Sequence, residues 1–190
     1  IVFAAISPSK NYQIIAVNED AKRTLYVYDL NINELLSLPE IDNLIVWGAQ
    51  FSRDEKQMII YAETGRSPVD IYHLDLGNDN LNRITYNLNE NINETDLVKG
   101  EIVSYNSFDN IEIPGVLYIP HIATEQNKVP ALVWVHGGPG GQSMLGYRDD
   151  IQYIVNQGYA VYAINNRGSN GYGKTFQMMD DRKHGKGDLD

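Results

Sequence analysis

The chain repeats itself. The run ISPSKNYQIIAVNED, then TLYVYDL, returns as FSRDEKQMIIYAETG, then DIYHLDL. Ser7 and Ser52 stand 45 residues apart, and Asp29 and Asp75 stand 46 apart. That period is close to the roughly 40 to 45 residues of a four-stranded propeller blade. Within each copy QIIAV and MIIYA, then TLYVYDL and DIYHLDL, are rich in β-branched and aromatic residues, and polar turns separate them. The repeat therefore predicts two antiparallel β units, with no helix across residues 12–30 or 57–76. A free-standing β-sandwich is the competing reading, which the repeat disfavours. One blade leaves a sheet face uncovered unless neighbours stack on it.

Two local patterns in this half invite stronger claims than they support. Asp29, Asn31, Asn33 and Glu40 imitate the ligand spacing of a calcium loop, but Glu34 occupies the position where that loop requires glycine. A hairpin turn is the expectation. Asn93-Glu94-Thr95 is a formal glycosylation triplet, of a kind that arises often by chance.

The polar stretch NLNENINETD, residues 87–96, separates the repeat from a different texture and reads as a linker. EIVSYNSF and IEIPGVLYIP then form a hairpin about Asp109-Asn110. PALVWV, continuously apolar, suits burial on both faces of a largely parallel sheet. DDIQYIVNQG places Ile151, Ile154 and Val155 on one helical face, and AVYAIN supplies a second buried strand. Strand, helix, strand is an α/β order. The expected fold is mixed: blades of a β-propeller over 1–97, then the N-terminal portion of an α/β-hydrolase sheet over 98–190.

Composition narrows the partners. An apolar fraction of 43% is enough for packed cores, while a net charge of −10 argues against nucleic acid and anionic membrane, which both demand a basic surface. With no cysteine there is no disulfide, thiol nucleophile or cysteine-ligated metal. No apolar run reaches the roughly 18 to 20 residues of a membrane span. The opening IVFAAISPSK begins in mid-pattern and GKGDLD ends without a terminating element, so the chain reads as an internal fragment. No residue set calls for a cofactor or a metal.

Two glycine-rich turns follow the two apolar strands. GSNGYGKT, Gly168 to Thr175, fits the phosphate-loop pattern G-x-x-x-x-G-K-[ST] at every fixed position. No second strand ending in an acidic Mg²⁺ ligand follows it, and a phosphate loop does not explain the other turn. That turn, HGGPGGQS, spans His136 to Ser143 at a strand's carboxyl end, where open α/β sheets bind their ligands. It suits an oxyanion hole, in which backbone N–H groups stabilise charge on a carbonyl oxygen, and it equally suits a tight turn without chemistry.

Taken together, SFDNIEIPGVLYIP, VPALVWVHGGPGGQS, GYAVYAINNRGSNGYGKTF and DDRKHGKGDLD resemble the prolyl oligopeptidase family of serine peptidases, particularly its dipeptidyl and acylaminoacyl peptidase branch. The resemblance implies hydrolysis of short peptides by acyl transfer, without a cofactor. It implies Gly137 or Gly138 as oxyanion backbone donors, with His136 where several relatives carry a donating Tyr. It also makes Arg167 an anchor of the second turn, Tyr172 and Asp188 structural, and Lys174 and Thr175 the start of a helix.

The nucleophile, acid and base are not found in this chain. Ser143 lies in GQSML and Ser169 in RGSNG, and neither has the G-x-S-x-G elbow that presents a serine. Asp180 or Asp181 with His184 could complete a triad only from one local segment, whereas triad members converge from different strand ends. The resemblance puts all three beyond Asp190. The reading from a different class is a propeller-based binding module with a degenerate α/β tail. If GSNGYGKT is a family turn, calorimetric titration with Mg·ATP or Mg·GTP gives no micromolar binding. Affinity abolished by Lys174→Ala would contradict this.

Overall fold

The computed structural model describes residues 1–39, 44–78, 80–138, 140–183 and 185–186. The two sequence repeats are two four-stranded antiparallel sheets of the same order. The first runs β1 (Phe3–Ile6), β2 (Tyr12–Glu19), β3 (Lys22–Asp29) and β4 (Glu34–Leu35). The second runs β5 (Ile45–Phe51), β6 (Gln57–Glu63), β7 (Asp70–Asp75) and β8 (Asn80–Arg83). Equivalent residues close equivalent turns. Ser7 Oγ accepts from the Tyr12 amide at 3.0 Å, and Ser52 Oγ from the Gln57 amide at 3.1 Å. Asp29 Oδ1 accepts from the Asn31 amide at 2.8 Å, and Asp75 Oδ1 from the Gly77 amide at 2.9 Å. The run once compared with a calcium loop is thus the β3–β4 hairpin; Glu40 lies outside the described residues.

Alternation does the packing. Ile14 and Ala16 on β2, Met58, Ile60 and Ala62 on β6, and Tyr72 and Leu74 on β7 turn inward, where full burial of a large apolar side chain stabilises by about 1.5–3 kcal/mol. Ile14, Val27, Val46, Met58, Ile60 and Leu74 form one cluster shared by both sheets, which therefore stack face on face as blades do. Glu55, in a turn of the second sheet, accepts from the Ser9 amide and from Asn11 Nδ2 of the first.

Buried on the same face as Tyr72 and Leu74, Asp70 gathers donors from Ser67, Thr85, the Asn87 amide and the Arg83 guanidinium. Burial alone would raise its pKa; these bonds outweigh it and hold the pKa low. Arg83 also reaches Glu94 Oε2 at 3.2 Å, so the polar segment after β8, which contains one 3₁₀ turn at Glu94–Asp96, is tied back onto the second sheet.

A third sheet holds β9 (Glu101–Asn106), β10 (Glu112–Tyr118), β11 (Ala131–Val135) and β12 (Ala160–Ile164), in the order β11-β12-β10-β9. The β9–β10 hairpin turns at Asp109-Asn110 as expected, with Asn110 in the left-handed region. Two expectations are corrected. Only β11 and β12 are parallel, while β12–β10 and β10–β9 are antiparallel, so the sheet is mixed rather than largely parallel. Within these 190 residues β11 is covered on one face only. Among the described residues β11 pairs only with β12, Val133 is 64% and Val135 55% exposed, and Trp134 packs against the core.

The crossover from β11 to β12 passes through α1 (Asp149–Asn156), whose Ile151 and Val155 pack with Val116, Tyr118, Val161 and Ala163. Two residues from the other sheets complete this core: Ala21 of the β2–β3 turn and Ile45 of β5. The Leu145 amide donates to Ala21 O at 2.8 Å. Gln152, a polar residue buried on α1, accepts from the Val98 amide at 3.1 Å and donates to Val98 O at 2.8 Å and Gly65 O at 3.1 Å. Among the described residues no helix is long and apolar enough to cross a membrane.

Gln152→Leu keeps much of the volume but strands three buried backbone groups. At about 1–3 kcal/mol for a buried group left unpaired, thermal denaturation of the variant should show several kcal/mol of lost stability. An unchanged melting temperature would contradict the role given to Gln152.

Candidate active-site turn

The end of β11 delivers His136, Gly137 and Gly138 to the carboxyl edge of the third sheet. Gly137 and Gly138 are exposed, and among the described residues their amides donate to no acceptor. The two positions differ in tolerance. Gly138 has φ of +135°, and a Cβ there would meet the Gly141 nitrogen at 2.8 Å, so only glycine fits. At Gly137 a Cβ would find nothing within 4 Å.

The rest of this loop is fastened to the loop that follows β12. Asn165 is fully buried; its Oδ1 accepts from the Ser143 amide at 2.6 Å, and its Nδ2 donates to Ser143 O and to the Tyr172 hydroxyl, each at 2.9 Å. The Asn170 amide donates to Gly141 O at 2.9 Å, and its side chain to Gly140 O. His136 Nε2 lies 2.9 Å from Ser169 Oγ. Ser169 Oγ gives its own proton to Asn166 O at 2.6 Å, and the other ring nitrogen, Nδ1, lies 3.2 Å from Gly137 O. The ring thus clasps the two loops together.

Arg167, buried, pairs with Asp109 and stacks over Phe108 with 5.1 Å to the ring centroid, anchoring the second loop to the β9–β10 hairpin. Tyr172 packs edge-on against Phe176 and binds Asn165. Lys174 and Thr175 open α2 (Lys174–Gln177), a single turn. The amides of Gly168, Ser169 and Asn170 already donate to Phe176 O, Asn166 O and Gly141 O, so three of the backbone donors that a phosphate loop would turn on its ligand are spent within the protein.

Both serines are buried. Ser169 is fully buried and Ser143 is 7% exposed with its backbone pinned on both sides. Asp180 is buried, Asp181 is exposed, and His184 and Asp188 lie outside the described residues. A cavity of about 420 Å³ beside the turn is lined by Gly140, Gly168, Lys174, Gln177 and Asp181. A cavity of about 670 Å³ lies between α1, residues 91–98 and Pro120–Ile122, with Tyr147 at its rim. Sequence reasoning missed Asn165 and the His136–Ser169 pair. The signal available was the polar pair Asn165-Asn166 directly at the end of a buried strand.

Residues 146–190 match the sequence profile of the prolyl oligopeptidase family. The match bears out the resemblance drawn from the strand and glycine motifs. Dipeptidyl aminopeptidase BIII of Pseudoxanthomonas mexicana is 31% identical over 129 residues, covering 65% of this chain and 19% of that protein. The uncharacterized peptidase YuxL of Bacillus subtilis strain 168 is 26% identical over 150 residues, covering 79% of this chain and 23% of that protein. The chain therefore spans about a fifth of these relatives. Among solved structures, a puromycin hydrolase superposes with a TM-score of 0.79 at 20% identity, over 97% of this chain and 28% of that one. The acylaminoacyl peptidase of Pyrococcus horikoshii gives 0.74 at 23% identity, over 98% and 28%. These likenesses establish the shared fold: two blade-like antiparallel sheets followed by a mixed sheet with a helical crossover.

Asn165→Ala removes all three bonds that fasten Ser143 and Tyr172. It should cost about 1–3 kcal/mol for each buried group left unpaired and speed amide exchange in the segments around Ser143 and Tyr172. Unchanged exchange in both segments would show that the loops are held otherwise.

Proposed function

We propose that this chain is part of a serine-type peptidase of prolyl oligopeptidase type, acting on short peptides by acyl transfer. In this reading residues 1–97 are the last blades of a propeller and 98–190 the first part of the catalytic domain. The nucleophile, acid and base belong to the remainder of the protein. What supports it most is the open pair of glycine amides at the end of β11, in a chain whose residues 146–190 match the family.

The turn's part is electrostatic. When a serine attacks a peptide carbonyl, the oxygen gains negative charge, and an amide already aimed at that position stabilises the transition state more than the ground state. Gly137 or Gly138 supplies that N–H. His136 holds the turn in place through Ser169, and removing one such donor raises the barrier by roughly 3–4 kcal/mol. Buried Ser143 and Ser169 leave the chain on its own without a nucleophile, so the 190 residues alone should hydrolyse neither peptides nor activated esters.

In the whole protein, Gly137→Pro deletes one N–H at a position with open space around it, and circular dichroism should show the fold retained. The expected result is a kcat roughly 10²–10³ lower with a smaller change in KM. Gly138→Pro is the parallel case, with added backbone strain from its φ. Full turnover in both variants, or fluorophosphonate labelling of Ser143 or Ser169 in the isolated chain, would contradict the assignment.

A further inference from the structure

The loop that carries the glycine turn runs on from Ser143 through Leu145 and Gly146 to α1, and Gly146 meets a carboxylate from another sheet. Glu63, the last residue of β6, places Oε1 against the Gly146 backbone so closely that a Cβ on Gly146 would collide with it. Charged and aromatic groups from several elements surround this carboxylate. Arg23 of β3 stacks over the Trp47 ring of β5 with 4.0 Å to the centroid, and the Trp47 indole and Arg23 both act on Glu63. From the other side comes Arg148, which stacks over Trp134 of β11 at 5.2 Å and pairs with Asp150 at 2.5 Å. Tyr118 of β10 lies across the same spot, its hydroxyl 3.4 Å from Gly146 O.

We propose that Glu63 is a positioning residue for the glycine turn: its carboxylate couples the second sheet to Gly146, and its ionisation sets how the loop leading from the turn to α1 is held. The proposal rests on the reading of that turn as an oxyanion site, but its physical content does not depend on turnover. Ionised, Glu63 attracts both guanidiniums and braces Arg148 against the loop. Protonated, it loses that attraction, and Arg148 remains with Asp150.

The group titrates in a useful range. Burial raises the Glu63 pKa from its ordinary 4.5 to about 7, partly offset by the Trp47 indole, Arg23 and Arg148. Tyr118, pushed up to about 12 by burial, stays neutral throughout. A carboxyl whose folded pKa is raised favours the folded state most below its unfolded value, and that contribution is lost as pH rises through about 7. Stability therefore declines from pH 4.5 to 7 on account of this one group, and Glu63→Gln removes the decline.

Two readouts test the proposal on the full chain. Trp47 and Trp134 are the chain's two tryptophans, so in the Trp134→Phe background emission reports Trp47 alone. The expected result is an inflection in Trp47 emission near pH 7 and a ¹⁵N–¹H shift of Gly146 with the same midpoint, both abolished by Glu63→Gln. If Gly146 does not titrate, or titrates unchanged in Glu63→Gln, the coupling is refuted. In the whole protein the pH profile of kcat should carry the same midpoint and lose it in Glu63→Gln. A whole protein that cleaves no peptide while Gly146 still titrates with Glu63 would tell against the proposed function and leave the coupling standing.

Discussion

One buried carboxamide holds the candidate site together. Asn165 has no access to water, so its polar atoms must be satisfied within the protein, and they are spent on both backbone groups of Ser143 and on Tyr172. Because these bonds have no solvent competitor, they fix the distance between the two glycine-rich loops. The Asn170 contacts and the His136–Ser169 bond then close the same seam further out. With the loop backbone committed on one side, the amides of Gly137 and Gly138 are left facing outward.

That seam is supported from below by the repeat sheets. Ala21 at the β2–β3 turn, Gln152 on α1 and Glu63 on β6 each bind across a boundary between sheets, through an apolar contact, a set of amide bonds and a carboxylate respectively. Asn18 Nδ2 adds a bond of 2.6 Å to Gln142 Oε1 in the glycine loop. A blade-like sheet next to an α/β sheet could pivot about a polar linker, but here the contacts pass through buried groups. The glycine turn is consequently mounted on two sheets at once.

The sequence disclosed what local chemistry determines. The 45-residue repeat, the Ser and Asp turns and the alternation of β2, β6 and β7 depend on neighbours in the chain, and each reappears in the structure. The β9–β10 turn and the buried face of α1 were legible for the same reason. What remained hidden depends on partners far apart in sequence: the polar Gln152 in the buried face of a helix, the meeting of His136 with Ser169, and Glu63 reaching Gly146. The apolar run of β11 shows how far composition goes: it reports that a strand is fit for burial, whereas the order of the strands decides what covers it. The glycine pattern Gly168 to Thr175 shows the opposite hazard. A motif defined by spacing cannot tell that three of its amides are committed to the protein's own carbonyls.

The central claim is that the turn after β11 offers an amide to a developing oxyanion. The most direct measurement is a ¹⁵N–¹H spectrum of the whole protein before and after a peptide boronate forms a tetrahedral adduct on its nucleophile. A large downfield proton shift is expected at Gly137 or Gly138, because a new charge-assisted hydrogen bond deshields the donated proton. Formation of the adduct with both glycine signals unmoved would contradict it.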